Sequence, residues 1–593
     1  MSTDPSPGGP RIILRPSGSG AERSRGRQGA VIALASALLL AGAVPGQDLP
    51  DEIRTVEIRS RSGVVVANTR EAAEAGASVL RGGGNAVDAA VATALALGVS
   101  EAEASGIGGS AWILIHTAGG RDVAIDGSAS VPVGVRPSEL QAQLDQGFEF
   151  GYKTVAAPGA LAALAYALQR YGTRSFAAVA EPAIEIADSG YRLAPHEAGV
   201  LGAFGWKLRS CPTLRDIFLT PSLESYGPEH TFCMDALATT MRRLARAGPG
   251  DFYAGTVADG IDADMHANGG FLRKSDLVAV RPVERAPFRG RYRGLEVVSF
   301  PDPGGGAAVI EALQILDRFP REMLAAHTVD AMVVMIEAAR IALYDLYAAP
   351  VGGPLATFRM LDPAWAARRA AQIHPDRALR LDEILEKNLI PPRLEGSTHL
   401  SVLDGRGNAV AMSLTFNEEF GACVATPSLG FPYNATLAFY DLASPQAPLY
   451  PRPGTVLPNT MAPAFVLRDG SPWLVLGGPG SARITSTIVG TIVNLIDRGM
   501  KPAEAVSSPR VLWDGSRSPR VLIEMAGQNT DDDVAQLIRR GFSNIYTLCF
   551  PPRPIDLLAF GGVNLATLDA ASGEAVGVGD PRRTGVAVGG DPR

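Results

Sequence analysis

Positions 396–399 read Gly-Ser-Thr-His, and an apolar-alternating run follows in "LSVLDGRGNAVAMSLTFN". Two readings share this pattern. In the ordinary one, the Ser397 and Thr398 hydroxyls bond nearby backbone and cap a turn entering a strand. In the reactive one, Ser397 is a nucleophile that the chain exposes by cutting itself. If the Gly396–Ser397 bond breaks, the freed α-amine lies beside the Ser397 hydroxyl and can act as its base. That chemistry needs a small residue before the cut, a nucleophile heading a strand that enters the core, and backbone donors for an oxyanion. Gly396 meets the first demand and Leu400–Leu403 the second. Gly480-Ser481 meets the third, ahead of a helix starting at Ala482, because the first turn of a helix has N–H groups without helical partners. Residue types alone leave both readings open.

Other chemistries find less support. No G-x-S-x-G joins a strand to a helix, and no Gly-rich loop carries G-K-[ST] or opens a βαβ unit with G-x-G-x-x-G. The four cysteines, Cys211, Cys233, Cys423 and Cys549, contain no C-x-x-C pair, and the seven histidines show no metal spacing. The sequence therefore predicts no metal site and no cofactor. Cys211 and Cys233 are a candidate disulfide, with free buried thiols the alternative. A net charge of -7 gives no electrostatic reason to expect nucleic acid.

The elements that must position Ser397 can be read from pattern. "GVVVANTREAAEAGASVLRGGGNAVDAAVATALALGVSEA" predicts a strand and two helices, broken at Gly82-Gly83-Gly84, with Asn85 capping a helix over Ala86–Leu97. Two strands flank the Ala118-Gly119-Gly120 turn. Helical stretches follow in "APGALAALAYALQRYGT" and in "SFAAVAEPAIEIADSGYRL", the latter interrupted by Pro182. The middle of the chain, to about Arg380, reads as mostly helical with loops. Strand pairs then dominate: Leu400–Leu403 with Ala409–Thr415, and Phe465–Leu467 with Trp473–Leu476. A helix with an Ile484, Ile488, Ile492, Leu495 stripe follows. The pattern is one of α/β layers.

With 593 residues, 46% hydrophobic and 19% charged, the chain has enough apolar material for a large core. Its start is different in kind. Arg23, Arg25 and Arg27 precede the apolar run Gly29–Ala43, which ends in Ala-Gly-Ala, and polar residues follow. This predicts a removed export signal over 1–43, with a retained N-terminal anchor as the alternative.

Taken together, "RGGGNAVDAAVATALALGVSE", "SGIGG", "DFYAGTVADGI", "PDPGGG", "STHLSVLDGRGNAV", "GPGSARI" and "GDPRRTGVAVG" resemble the γ-glutamyltransferase (glutathione hydrolase) family, in family order over nearly all of the chain after the signal. The resemblance implies an N-terminal-nucleophile hydrolase with a four-layer αββα sandwich. It implies a precursor that cuts itself before Ser397 into a large region, 44–396, and a small one, 397–593, which stay together. Ser397 then matches the nucleophile, Thr415 the threonine bonded to it, and Asn417 a residue that contacts the substrate's amino-acid head. Gly480 and Ser481 match the oxyanion donors. The implied partners are a small-molecule γ-glutamyl or acyl amide and a water or amine acceptor, with no nucleic acid.

The same comparison marks departures. Serine replaces the usual threonine nucleophile, which keeps the hydroxyl and loses only a methyl that restrains χ1. Ser128 stands where the family has a carboxylate-gripping arginine, and Phe439, with Asp441 nearby, where it has an acidic residue. Asn459-Thr460 replaces a serine pair, and Thr436 a glutamine. Without a guanidinium at 128, a buried carboxylate loses its bidentate partner unless Arg483 or Arg452 enters from elsewhere. Two further readings follow: an acylase acting on another amide, and an uncut, non-enzymatic relative.

Overall fold

Gly63–Ala67 (β2), Ser110–His116 (β3), Asp122–Gly127 (β4), Ser397–Asp404 (β8) and Ala409–Thr415 (β9) are rich in Val, Ile and Leu, which suit a pleated surface buried on both sides. With Val283–Arg285 (β5) and Val586–Gly589 (β14) they form a seven-stranded sheet, ordered β14-β2-β8-β9-β3-β4-β5. A second seven-stranded sheet contains Glu57–Ser60 (β1), Phe288–Tyr292 (β6), Leu295–Ser299 (β7), Ala464–Arg468 (β10), Ser471–Gly477 (β11), Asn564–Leu568 (β12) and Ala575–Val578 (β13). Its order is β1-β13-β12-β11-β10-β7-β6. The computed structural model describes residues 56–228, 230–352, 354–384, 396–515, 520–549, 560–569 and 571–592. The expected export signal, 1–43, lies outside them.

Alternation along the strands builds the layers. Val65, Ala67, Leu400, Val402, Ile113 and Ile115 face one core, shared with helices Arg70–Arg81 (α1), Ala86–Ser100 (α2), Ala160–Tyr171 (α3) and Phe176–Ser189 (α4). Val64, Val66, Trp112, Leu114 and Leu403 face the other sheet, in a core that continues to Gly306–Leu316 (α7), Val329–Gly352 (α8) and Arg483–Ile496 (α9). The result is the αββα sandwich that the sequence resemblance implied. No helix among the described residues is long and apolar enough to cross a membrane.

Local signals set several boundaries. Asn85 caps α2 by accepting from the Val87 and Asp88 N–H groups, while Asp88 accepts from the Asn85 N–H. Asp404 ties the β8–β9 hairpin to α2. Its carboxylate accepts from the Ala86 N–H at 2.9 Å, and from Arg406 and Asn408 in the turn. The Ile484, Ile488, Ile492 and Leu495 stripe of α9 is buried. That helix begins at Arg483, with Ala482 as its N-cap.

Three expectations need correction. Pro182 does not interrupt its helix, since α4 runs from Phe176 to Ser189 with Pro182 inside it. The stretch read as mostly helical contains the β6–β7 hairpin. There Phe288 and Tyr292 are buried and Arg289 and Arg291 exposed, but Gly290 stands between the arginines without an apolar side chain, so the short edge strand shows little apolar alternation. The disulfide joins Cys211 to Cys423, across 212 residues, while Cys233 is free and exposed. Cys233 is nearer in sequence, but the fold brings the turn after β9 to Cys211.

Candidate active site

Ser397 is the first residue of β8 and pairs with Thr415, the last of β9. Alternation directs Ser397, His399 and Ser401 toward the second sheet, and Thr398, Leu400 and Val402 toward the helices. Gly396 has φ +66°, and a Cβ there would sit 2.3 Å from the Glu418 carbonyl carbon. Only glycine fits this bend without strain.

The Gly396 carbonyl is held by two donors. The Thr415 hydroxyl donates to it at 2.5 Å and the Phe416 N–H at 3.3 Å. Thr415 Oγ1 in turn accepts from the Asn417 N–H at 2.8 Å. A carbonyl beside a hydroxyl residue and polarised by donors is arranged for attack at its carbon. Gly480 and Ser481 lie in the left-handed half of backbone space, at φ +134° and +59°, just before α9. Ser397, Gly396, Gly480, Glu419, Arg483, Arg583 and Phe204 line one pocket.

Asn417, Thr436 and Asn459 form a connected polar group, and Thr460 bonds apart from it. Asn417 Nδ2 donates to Thr436 Oγ1 at 2.9 Å, Asn459 Nδ2 approaches Asn417 Oδ1 at 3.4 Å, and Thr460 Oγ1 donates to the Ser481 carbonyl at 3.0 Å. Ser128 belongs to a different group. Its hydroxyl and N–H both donate to Asp126, whose other oxygen accepts from Arg285. Phe439 is half-buried against the Leu437–Tyr440 apolar cluster. Asp441 accepts from the Ala443 N–H, and Arg452 is spent on the Tyr450, Pro445 and Ala447 carbonyls. Of the two arginines considered as replacements, Arg483 reaches the Ser397 pocket.

His399 has a structural place. Its ring nitrogens contact Ser413 Oγ at 2.9 Å and Ser401 Oγ at 3.1 Å, and Gly477 leaves room for the ring. Burial pulls its pKa down to about 3, so it is neutral at ordinary pH.

Sequence reasoning missed Arg583, Glu419, Phe204 and the carboxylates behind them. Arg583 Nη1 donates to His196 Nε2 at 3.0 Å, which makes that nitrogen the acceptor. Glu101, Glu103 and Glu197 are buried nearby. Asn68 Nδ2 links Glu101 to Thr398, with bonds of 2.9 and 3.1 Å. Burial pushes the Glu101 carboxyl up to about 7, against the lowering effect of Thr398, Asn68 and Arg583. Burial, and then the Glu101 charge, push Glu103 well above the usual carboxylate range. The "PRR" of the terminal motif was the available signal for Arg583; nothing local marked its approach to Ser397.

A hydroxyl at the head of a central strand of an αββα sandwich, with a glycine carbonyl before it, defines the N-terminal-nucleophile class of amide hydrolases. The Gamma-glutamyltranspeptidase profile matches residues 72–590, and the chain belongs to that family, which is one of enzymes. It is 34% identical to the Glutathione hydrolase proenzyme of Escherichia coli (strain K12), over 76% of this chain and 81% of that protein. It is equally, 34%, identical to the Acylase ACY 1 proenzyme of Pseudomonas sp. (strain SE83), over 76% and 83%. Among solved structures, cephalosporin acylase from Bacillus halodurans superposes with a TM-score of 0.82 at 28% identity, covering 93% of this chain and all of that one.

Proposed function

We propose that this chain is a self-processing γ-glutamyltransferase-like enzyme with Ser397 as nucleophile. The observation that carries the reading is the held Gly396 carbonyl, with the Thr415 hydroxyl at 2.5 Å and Ser397 next in sequence. Ser397 Oγ attacks the Gly396 carbonyl carbon, the acyl group shifts from N to O, and water cleaves the ester. The products are a Gly396 carboxylate and a Ser397 α-amine. That amine then takes the hydroxyl proton as Ser397 attacks a substrate amide, with Gly480 and Ser481 at the oxyanion. The leaving amine departs protonated, and water or an acceptor amine releases the acyl group. Asn417, Thr436, Asn459 and Thr460 supply substrate contacts, and export through 1–43 accompanies the reading.

Arg483 and Arg583 beside Ser397 favour an acyl group with a carboxylate, as a γ-glutamyl group has. Ser128 favours the second reading, an acylase of the same family, because its hydroxyl is committed to Asp126 and replaces no guanidinium. Denaturing electrophoresis under reducing conditions tests the core of the proposal. Two fragments with a new N-terminus at Ser397, absent in Ser397→Ala, are expected; a wild-type chain that stays whole overturns it. Turnover of a γ-glutamyl anilide against simple acyl anilides then separates the two substrate readings.

A further inference from the structure

The turn that follows β9 carries a dense run of left-handed backbone: Asn417 at φ +69°, Phe420 at +61°, Gly421 at +51° and Cys423 at +58°. Three of these are not glycine, and such residues hold that conformation only where the surroundings enforce it. The enforcement comes from the other side of the 396–397 junction. Lys207, on the helix Pro195–Arg209 (α5), donates to the Glu419 carbonyl at 2.6 Å and lies 3.6 Å from the Glu418 carboxylate. Phe204 of α5 and Phe218 of the helix Pro212–Phe218 (α6) pack on Phe420, with ring centroids 6.1 and 5.2 Å apart. Between α5 and α6, Cys211 bonds to Cys423.

The inner side of the turn meets the junction itself. Glu418 is the backbone that a Cβ at Gly396 would strike, and Glu419 lines the Ser397 pocket together with Phe204. Cys211 lies before the junction and Cys423 after it. We infer that the Cys211–Cys423 disulfide covalently joins the two fragments of the matured protein and holds the 416–424 turn against the nucleophile. The inference rests on the self-cleavage proposed above. The two cysteines are positioning residues, acting through Glu418 and Glu419 without touching the reacting atoms.

Before cleavage the bond closes a loop within one chain. After cleavage it becomes a link between two chains, and the fragments then separate only if a reductant supplies two electrons. A dithiol does so by thiol exchange. Its two S–H groups are oxidised to a cyclic disulfide, while Cys211 and Cys423 each gain a hydrogen and become thiols. Reduction leaves the turn held by Lys207, Phe204 and Phe218 without its covalent tether, and small displacements at a reacting centre reduce rate steeply.

Purified mature protein, run denatured, is expected to give one band without reductant and two with dithiothreitol. Two bands without reductant overturn the bond and leave the cleavage standing. A single band that persists in reductant overturns the cleavage reading and this inference with it. For positioning, folded mature enzyme treated with dithiothreitol is expected to lose roughly tenfold in kcat with little change in KM. The double variant Cys211→Ala/Cys423→Ala is expected to start at that lower kcat and ignore dithiothreitol. An unchanged kcat after thiol labelling has confirmed reduction overturns the positioning role, whether or not the double variant folds.

Discussion

Thr415 separates positioning from nucleophilicity at the scale of single residues. Its hydroxyl donates to the Gly396 carbonyl and accepts from the Asn417 N–H, so removing it leaves Ser397 in place beside a less polarised carbonyl. Thr415→Ala is expected to slow self-cleavage by about tenfold, the equivalent of a hydrogen bond of about 1.4 kcal/mol. A time course of fragment appearance from pulse-labelled precursor measures it. Thr415→Ser, which keeps the hydroxyl, is expected to restore most of the rate.

Glu101 makes a pH prediction of definite sign. Its folded pKa of about 7 is above its unfolded value, so the folded protein binds the extra proton between the two. The stability that this proton contributes is fully present below the unfolded value, near pH 4.5, and is lost as pH rises through about 7. Glu101→Gln cannot lose it. The melting temperature of the variant relative to wild type is therefore expected to rise from pH 5 to pH 8. A difference that stays flat across that range would remove Glu101 as the titrating group.

Among the elements, the β8–β9 hairpin and α2 are coupled through Asp404. One buried carboxylate satisfies the α2 N-terminal N–H at Ala86 and the turn N–H groups of Arg406 and Asn408. Asp404→Ala leaves these donors without that acceptor, at a cost of about 2–4 kcal/mol. The strand it anchors begins with Ser397. A lowered denaturation midpoint, accompanied by slower self-cleavage, is the expected pair of results. Asp404→Asn, which retains an acceptor oxygen, is expected to lose less.

Over the whole molecule, a buried ionic group fastens the C-terminal motif to the rest of the unit. Arg582 donates to Glu524 at 2.5 and 2.6 Å and to Asp580 at 3.1 Å, and Asp580 also accepts from Arg510. Removing one partner strands charges that water cannot reach. Arg582→Met is expected to destabilise by about 3–5 kcal/mol, as measured by chemical denaturation. The adjacent Arg583 enters the Ser397 pocket, so loosening this group is expected to lower activity in whatever protein remains folded.

Much of the fold was legible because it is written locally. Asn85 and Asp88 cap α2 from positions three apart, the β8–β9 and β10–β11 hairpins alternate in sequence, and the α9 stripe recurs at helical spacing. Gly396 and Ser397 stood out as chain neighbours whose types suit either a capped turn or a cleavage bond, whereas Thr415 entered through the family resemblance, and the strand register of the fold sets it opposite Ser397. Contacts between distant segments left no such trace. Pro182 sits inside α4, which runs on to Ser189 although the residues on either side of the proline gave no sign of it. The partner of Cys211 depended on where the turn after β9 falls, and Arg583 meets Ser397 only because β12, β13 and β14 return the C-terminus to the sandwich. The sequence by itself determined most of the elements and put a hydroxyl directly after a glycine. The tertiary structure decided which charges surround that hydroxyl and which cysteines pair, because those depend on proximity across hundreds of residues rather than along a few.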